Sequence, residues 1–328
     1  MSKRFSNQHA CEALACVFIV WSSIAAPATT SQPPEMPKAL IADPAPQGVR
    51  IDEHGVFANY FAAPGAGKHP GILALGGSEG GLGTGSMRDA KALQAHGFNV
   101  LQLAYFGASG EPAELAKVPM ETFERGFAWL ASRSEVDAGR IGIVGASKGA
   151  EAALLFASRR PQLKVVIVGM PSSVVWQGIS FTPGAKSSWS IGGHDLPYLP
   201  YVPSADHSIY AGFAGGLKAL EAHPDAVIPV ENIQGPIVLI CGKADTLWPS
   251  CPMAEQATER LKAKRFHFPV ELFEYDDAGH GVFGPPLDRS DAKYPTLGSL
   301  GGSDDGNNDA RKESWTHVLS MLDRALKQ

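Results

Sequence analysis

The sequence predicts an α/β architecture in which a mostly parallel, doubly wound sheet carries helices on both faces. Two observations predict it. Short apolar, β-branched runs alternate with helical stretches from about residue 71 to residue 275, and such runs are buried only if helices cover both sides of the sheet. One of these runs, residues 141–145, passes through Gly145, Ala146, Ser147, Lys148 and Gly149 into an Ala/Leu-rich stretch with no spacer. That is the pattern of a strand, a sharp turn and a helix, with the serine held above the sheet edge and small residues on either side because the turn is tight.

In chain order, residues 49–52 and 55–61 read as antiparallel edge strands and 71–75 as a buried strand ending in Gly76, Gly77, Ser78, Glu79, Gly80 and Gly81. Then come helix 87–96, strand 99–104, helix 119–132, strand 140–145, helix 148–158 and strand 164–168. After this sixth strand the alternation stops for an insertion over about 170–208, rich in aromatic residues, proline and glycine. It is too long for a plain loop in a compact domain. Trp176, Phe181, Trp189 and Tyr198 within it are assigned to a wall for an apolar substrate; the alternative is a loop lying on the domain surface. Helix 209–222, strand 237–241, helix 251–263, strand 270–275, a Gly/Pro/Asp-rich loop to Asn308 and a last amphipathic helix to Leu326 complete the chain. There is no internal repeat, and residues 49–328 are expected to form a single domain.

The first residues read as a targeting segment. Lys3 and Arg4 precede an apolar run over 13–24, followed by Ala25, Ala26 and Ala28, the charged, apolar and small-residue regions of a secretory signal. Residues 1–28 are therefore expected to be removed on export to the periplasm or medium, leaving a Pro-rich tether over 29–48. The apolar run is short for a membrane span. With 28 Lys and Arg against 33 Asp and Glu, the net charge is −5, which disfavours a nucleic-acid partner. A small molecule is the expected ligand. Beyond the leader only Cys241 and Cys251 remain; they either bridge or stay as buried thiols.

Serine is a poor nucleophile until a base takes its proton and N–H donors hold the resulting oxyanion. Both the 76–80 and 145–149 stretches match Gly-x-Ser-x-Gly, but only the second leads directly into a helix. Ser147 is thus the candidate nucleophile. The first stretch is assigned to the oxyanion turn, with Gly77 or Ser78 supplying one N–H and Lys148 the other. His280 follows the last strand, where a glycine-flanked loop can carry it back over the serine. His194 and His207, in the insertion, are second choices. Asp245, after strand 237–241, is the candidate acid that orients the imidazole. Asp276 and Asp277 lie too close in sequence to His280 for that task. No metal-ligand spacing and no dinucleotide or phosphate loop stands out, so neither metal nor cofactor is expected.

Several motifs together resemble one family. Gly145 to Glu151, the 76–81 turn, the run from Ile228 to Ile240, Gly279-His280 with the following Pro285-Pro286, and Gly301-Gly302 ahead of a helix bearing Trp315 look like the C-terminal catalytic domain of bile acid-CoA:amino acid N-acyltransferases and type I acyl-CoA thioesterases. The resemblance covers roughly residues 70–328. It implies an α/β-hydrolase fold, an acyl-enzyme mechanism, and nucleophile, acid and base at Ser147, Asp245 and His280. Serine matches the thioesterase branch, since the acyltransferases typically use cysteine. That family also carries an N-terminal β-sandwich, for which the residues before Leu73 leave room only for edge strands. The reading therefore leans to an ester or thioester hydrolase of the dienelactone hydrolase-like kind. Acyl transfer to an amine or alcohol, and a non-catalytic ligand-binding protein on the same fold, are the alternatives.

Overall fold

The computed structural model describes residues 39–205 and 208–328; the leader assigned to 1–28, the first half of the tether and His207 lie outside them. The elements are β1 (Val49–Glu53), β2 (Val56–Phe61), β3 (His69–Leu75), α1 (Thr84–Ala95), β4 (Asn99–Leu103), the two-residue β5 (Val118–Pro119), α2 (Met120–Ala131), β6 (Val136–Ala146) and α3 (Lys148–Ala157). They continue with β7 (Leu163–Gly169), β8 (Trp189–Ile191), β9 (His194–Asp195), α4 (Ile209–Lys218), β10 (Ile237–Gly242), α5 (Ser250–Ala263), β11 (Val270–Tyr275) and α6 (Asp304–Leu326).

Eight strands form one sheet in the order β1-β2-β4-β3-β6-β7-β10-β11. β1 pairs antiparallel with β2 and β2 antiparallel with β4, while every later pairing is parallel. The interior strands β3, β4 and β10 are buried along almost their whole length, as their unbroken apolar composition requires. Successive residues of a strand point to opposite faces, and two cores result. Leu73, Leu75, Ile143, Val166 and Leu239 pack under α2, α3 and α5. Ile72, Ala74, Val144, Ile167 and Val238 pack under α1 and α6.

The helices differ from expectation mainly at their ends. α4 stops at Lys218 and a separate 3₁₀ turn covers Leu220–Ala222. α6 begins at Asp304, earlier than the loop composition implied, because the Ser303 hydroxyl accepts the Gly306 N–H and caps it. The described end of the tether is not free chain: Ala42 N–H donates to the Leu82 carbonyl and Leu82 N–H to the Leu40 carbonyl, beside the Gly-rich turn.

The insertion folds back on the body. β8 pairs in parallel with β5 and antiparallel with β9, giving a three-stranded side sheet. Val174, Trp176 and Leu199 join Phe213, Trp248 and Met253 in an apolar cluster of their own. Trp176 and Trp189, expected to line a substrate wall, are fully buried. An indole ring is the largest apolar surface the insertion has to hide, and it is spent on folding it: Trp189 packs on Tyr105 and Phe123, and Trp176 on Tyr201 and Phe213. Phe181 and Tyr198 stay partly exposed.

Candidate active site

Ser147 sits between β6 and α3 with φ 56° and ψ −122°, a strained conformation for a residue bearing a side chain. The close approach of backbone explains the flanking glycines. A Cβ on Gly145 would lie 2.3 Å from the Gly149 carbonyl oxygen, and one on Gly149 only 2.1 Å from the Gly76 carbonyl oxygen. Gly149 is therefore what lets the elbow rest against the turn that ends β3.

The structure brings together the three residues assigned from sequence to three strand ends. His280 Nε2 lies 2.9 Å from Ser147 Oγ, and His280 Nδ1 lies 2.8 Å from Asp245 Oδ2. A carboxylate can only accept, so Nδ1 carries the hydrogen and donates to Asp245, leaving Nε2 to accept from the Ser147 hydroxyl. All three side chains are nearly shut from solvent. Asp245 is itself fixed: Oδ1 accepts the N–H groups of Leu247 (2.9 Å) and Trp248 (3.2 Å), and Oδ2 also accepts the Ser250 hydroxyl at 2.8 Å. A disulfide joins Cys241 at the end of β10 to Cys251 at the start of α5, with Cα atoms 5.2 Å apart, so it closes the segment that carries Asp245. His194 lies exposed on β9.

The loop bearing His280 is anchored by residues that sequence reasoning passed over. Asn307 Oδ1 accepts the Gly279 N–H at 3.0 Å while its amide donates to the Gly301 and Ser303 carbonyls. The buried Arg311 guanidinium donates to the carbonyls of Gly281, Phe283 and Pro285. The Trp248 ring lies edge-on to His280 at 5.9 Å. On the other side, the Tyr105 hydroxyl spans the Gly76 and Gly77 carbonyls at 2.8 and 2.9 Å and holds the turn in place.

Lys148, whose N–H is a first-turn donor with no partner inside α3, has its side chain turned inward. Its ammonium donates to Glu151 Oε2 at 2.5 Å and to Ser188 Oγ at 2.8 Å. Glu151 Oε1 accepts the Trp176 N–H at 2.9 Å and the Trp189 indole N–H at 2.7 Å. Burial pushes the Lys148 pKa down and the Glu151 carboxyl up, against their mutual attraction. The legible signal was two opposite charges three residues apart in an otherwise apolar helix.

Among the described residues, the one close group of potential metal ligands is Cys241, Cys251 and Glu274; both sulfurs are consumed by the disulfide. No helix among these residues is long and apolar enough to cross a membrane.

The chain is similar to several known proteins. The chain is 28% identical over 293 residues to acyl-coenzyme A thioesterase 6 of Mus musculus, covering 86% of this chain and 66% of that one. It is 30% identical over 286 residues to acyl-coenzyme A amino acid N-acyltransferase 1 of Mus musculus, covering 85% of this chain and 65% of that one. The chain thus spans just under two thirds of the length of these relatives. In fold it is similar to a dienelactone hydrolase-like promiscuous phosphotriesterase from metagenomic libraries, with a TM-score of 0.51, 13% identity, and coverage of 85% of this chain and 98% of that one. The fold is the dienelactone hydrolase-like α/β-hydrolase fold. Residues 118–328 match the family described as BAAT / Acyl-CoA thioester hydrolase C terminal, and the chain belongs to that family.

Proposed function

We propose that this protein is a serine hydrolase that cleaves an acyl ester or thioester through an acyl-enzyme. The observation that carries the reading is the continuous hydrogen-bonded relay from Ser147 through His280 to Asp245. His280 takes the Ser147 proton as Oγ attacks the acyl carbonyl, then returns it to the leaving thiol or alcohol; Asp245 holds the tautomer and offsets the imidazolium charge. The oxyanion rests on the Lys148 N–H and on one N–H of the 76–81 turn. The Glu79 carboxylate packs against Gly77, which favours Ser78 as that second donor. Water, activated by the same His280, releases the acid.

The names of the relatives support acyl-CoA thioesters as the substrate class. A second reading, transfer of the acyl group to an amine, is favoured by the relative at 30% identity, an amino acid N-acyltransferase. Product analysis with and without glycine or taurine separates the two. We also read the chain as exported after loss of residues 1–28; the Cys241–Cys251 disulfide supports this, because such bonds persist in oxidising compartments.

The test is Ser147→Ala, assayed on p-nitrophenyl esters and acyl-CoA thioesters of graded chain length and with a fluorophosphonate probe. Turnover and labelling are expected to vanish while the thermal transition barely moves. Retained labelling would sink the assignment of Ser147.

A further inference from the structure

Glu79 belongs to the Gly-rich turn, and the chemistry proposed above gives it no task. Its carboxylate folds back over the turn that carries it. A methyl group built on Gly77 would lie 2.8 Å from Glu79 Oε2 and 3.2 Å from Ser147 Cβ, and one built on Gly76 would lie 2.7 Å from Glu79 Oε1. Nucleophile and carboxylate therefore close on Gly77 from two sides, an approach that a side chain at position 77 would block.

Among the described residues nothing cationic satisfies this carboxylate. Among the described residues no lysine or arginine forms an ion pair with it, and the one positive influence on it is His280. The other groups that feel its charge are Tyr105, Glu79's neighbour under the turn, and Asp89 on α1, whose own cation is Arg311. Glu79 is an exposed residue, yet burial around its carboxyl raises the pKa, opposed by the N–H groups of Glu79 itself and of Gly77. A carboxylate that borders the nucleophile and lacks a counter-charge is a binding determinant for a cation, whose arrival in turn favours the ionised carboxylate.

We infer that Glu79 makes this site select acyl esters or thioesters that carry a positive charge a few bonds from the scissile carbonyl. The assignment rests on the hydrolase reading and adds a substrate class to it. The charge can sit on the acyl side or on the leaving-group side of the carbonyl, and two pairs of isosteres separate these. On the acyl side, p-nitrophenyl 4-(trimethylammonio)butyrate is compared with p-nitrophenyl 5,5-dimethylhexanoate. On the leaving-group side, acetylthiocholine is compared with S-(3,3-dimethylbutyl) thioacetate. Each pair differs by nitrogen for carbon in a quaternary group of the same shape.

For the wild-type protein, kcat/KM for the cationic member of at least one pair is expected to exceed that of its neutral isostere by about tenfold, the scale of one partly desolvated ion pair. The pair that responds identifies the side on which the charge sits. In Glu79→Gln that ratio is expected to fall to about one, since the amide keeps the shape and loses the charge. Equal kcat/KM within both pairs for the wild type, or a preference that persists in E79Q, overturns the assignment to Glu79 while the hydrolase reading stands. A wild-type protein that cleaves none of the four compounds and none of the acyl-CoA panel overturns both.

Discussion

Lys148 Nζ and Glu151 Oε2, three residues apart on the helix that follows the nucleophile, form a 2.5 Å ion pair from which solvent is excluded on both sides. Their remaining partners, Ser188, Trp176 and Trp189, all come from the insertion after β7. The pair is thus a fastening between the elbow and the insertion. Burying such a pair gains little over an apolar contact, but removing one partner strands the other charge. Glu151→Gln and Lys148→Met are each expected to lower stability by about 3–5 kcal/mol. The double variant is expected to cost less than the sum, read from urea denaturation of all four proteins as a mutant cycle.

The Cys241–Cys251 bond closes a segment with a sequence separation of 10, and Asp245 lies inside it. Cross-linking so short a loop restricts the unfolded chain by about 2–3 kcal/mol. Cys241→Ala combined with Cys251→Ala is expected to lose about that much in denaturation. Reductant is expected to bring the wild type to the same midpoint and leave the double variant unmoved. Because Asp245 also depends on the Leu247, Trp248 and Ser250 contacts within the loop, kcat is expected to fall while KM holds.

Asp89 titrates far from the ordinary carboxylate range. Burial, joined by the nearby Glu79 charge and opposed by Arg311 and Arg88, raises its pKa to about 7. A carboxyl whose folded pKa exceeds its unfolded value binds its proton more tightly when folded, so this group's contribution is full below the unfolded pKa and is lost as pH rises through the folded one. Stability is therefore expected to fall between about pH 4 and pH 7 through this residue. Urea midpoints at pH 5 and pH 7.5 should converge in Asp89→Asn relative to the wild type. An unchanged difference between the two midpoints counts against Asp89 as its source.

The strand runs and the order Ser147, Asp245, His280 were legible because they are local facts: an apolar run needs cover on both faces, and each site residue directly follows a strand. The same locality hides where the two insertion tryptophans go. Trp176 and Trp189 show apolar bulk in the sequence, but whether that bulk faces a ligand or a core depends on what packs against it, and here Tyr105, Phe123, Tyr201 and Phe213 do. Asn307 and Arg311, which hold the His280 loop, gave no signal, since the loop groups they hold, the Gly279 N–H and the Gly281 and Pro285 carbonyls, lie 26 to 30 residues away.

By itself, then, the sequence determined the alternation of strands and helices, the elbow at Ser147, and which residue types stand ready at the strand ends, all set by periodicity and turn chemistry over a few residues. Only the tertiary structure decided that Gly149 meets the Gly76 carbonyl, that Lys148 points inward to Glu151, and that the Glu79 carboxylate borders the nucleophile with no cation paired to it among the described residues. Those are encounters between segments distant in the chain or turns of a side chain toward one face. They are fixed by how the sheet brings its strand ends together, which no local pattern records.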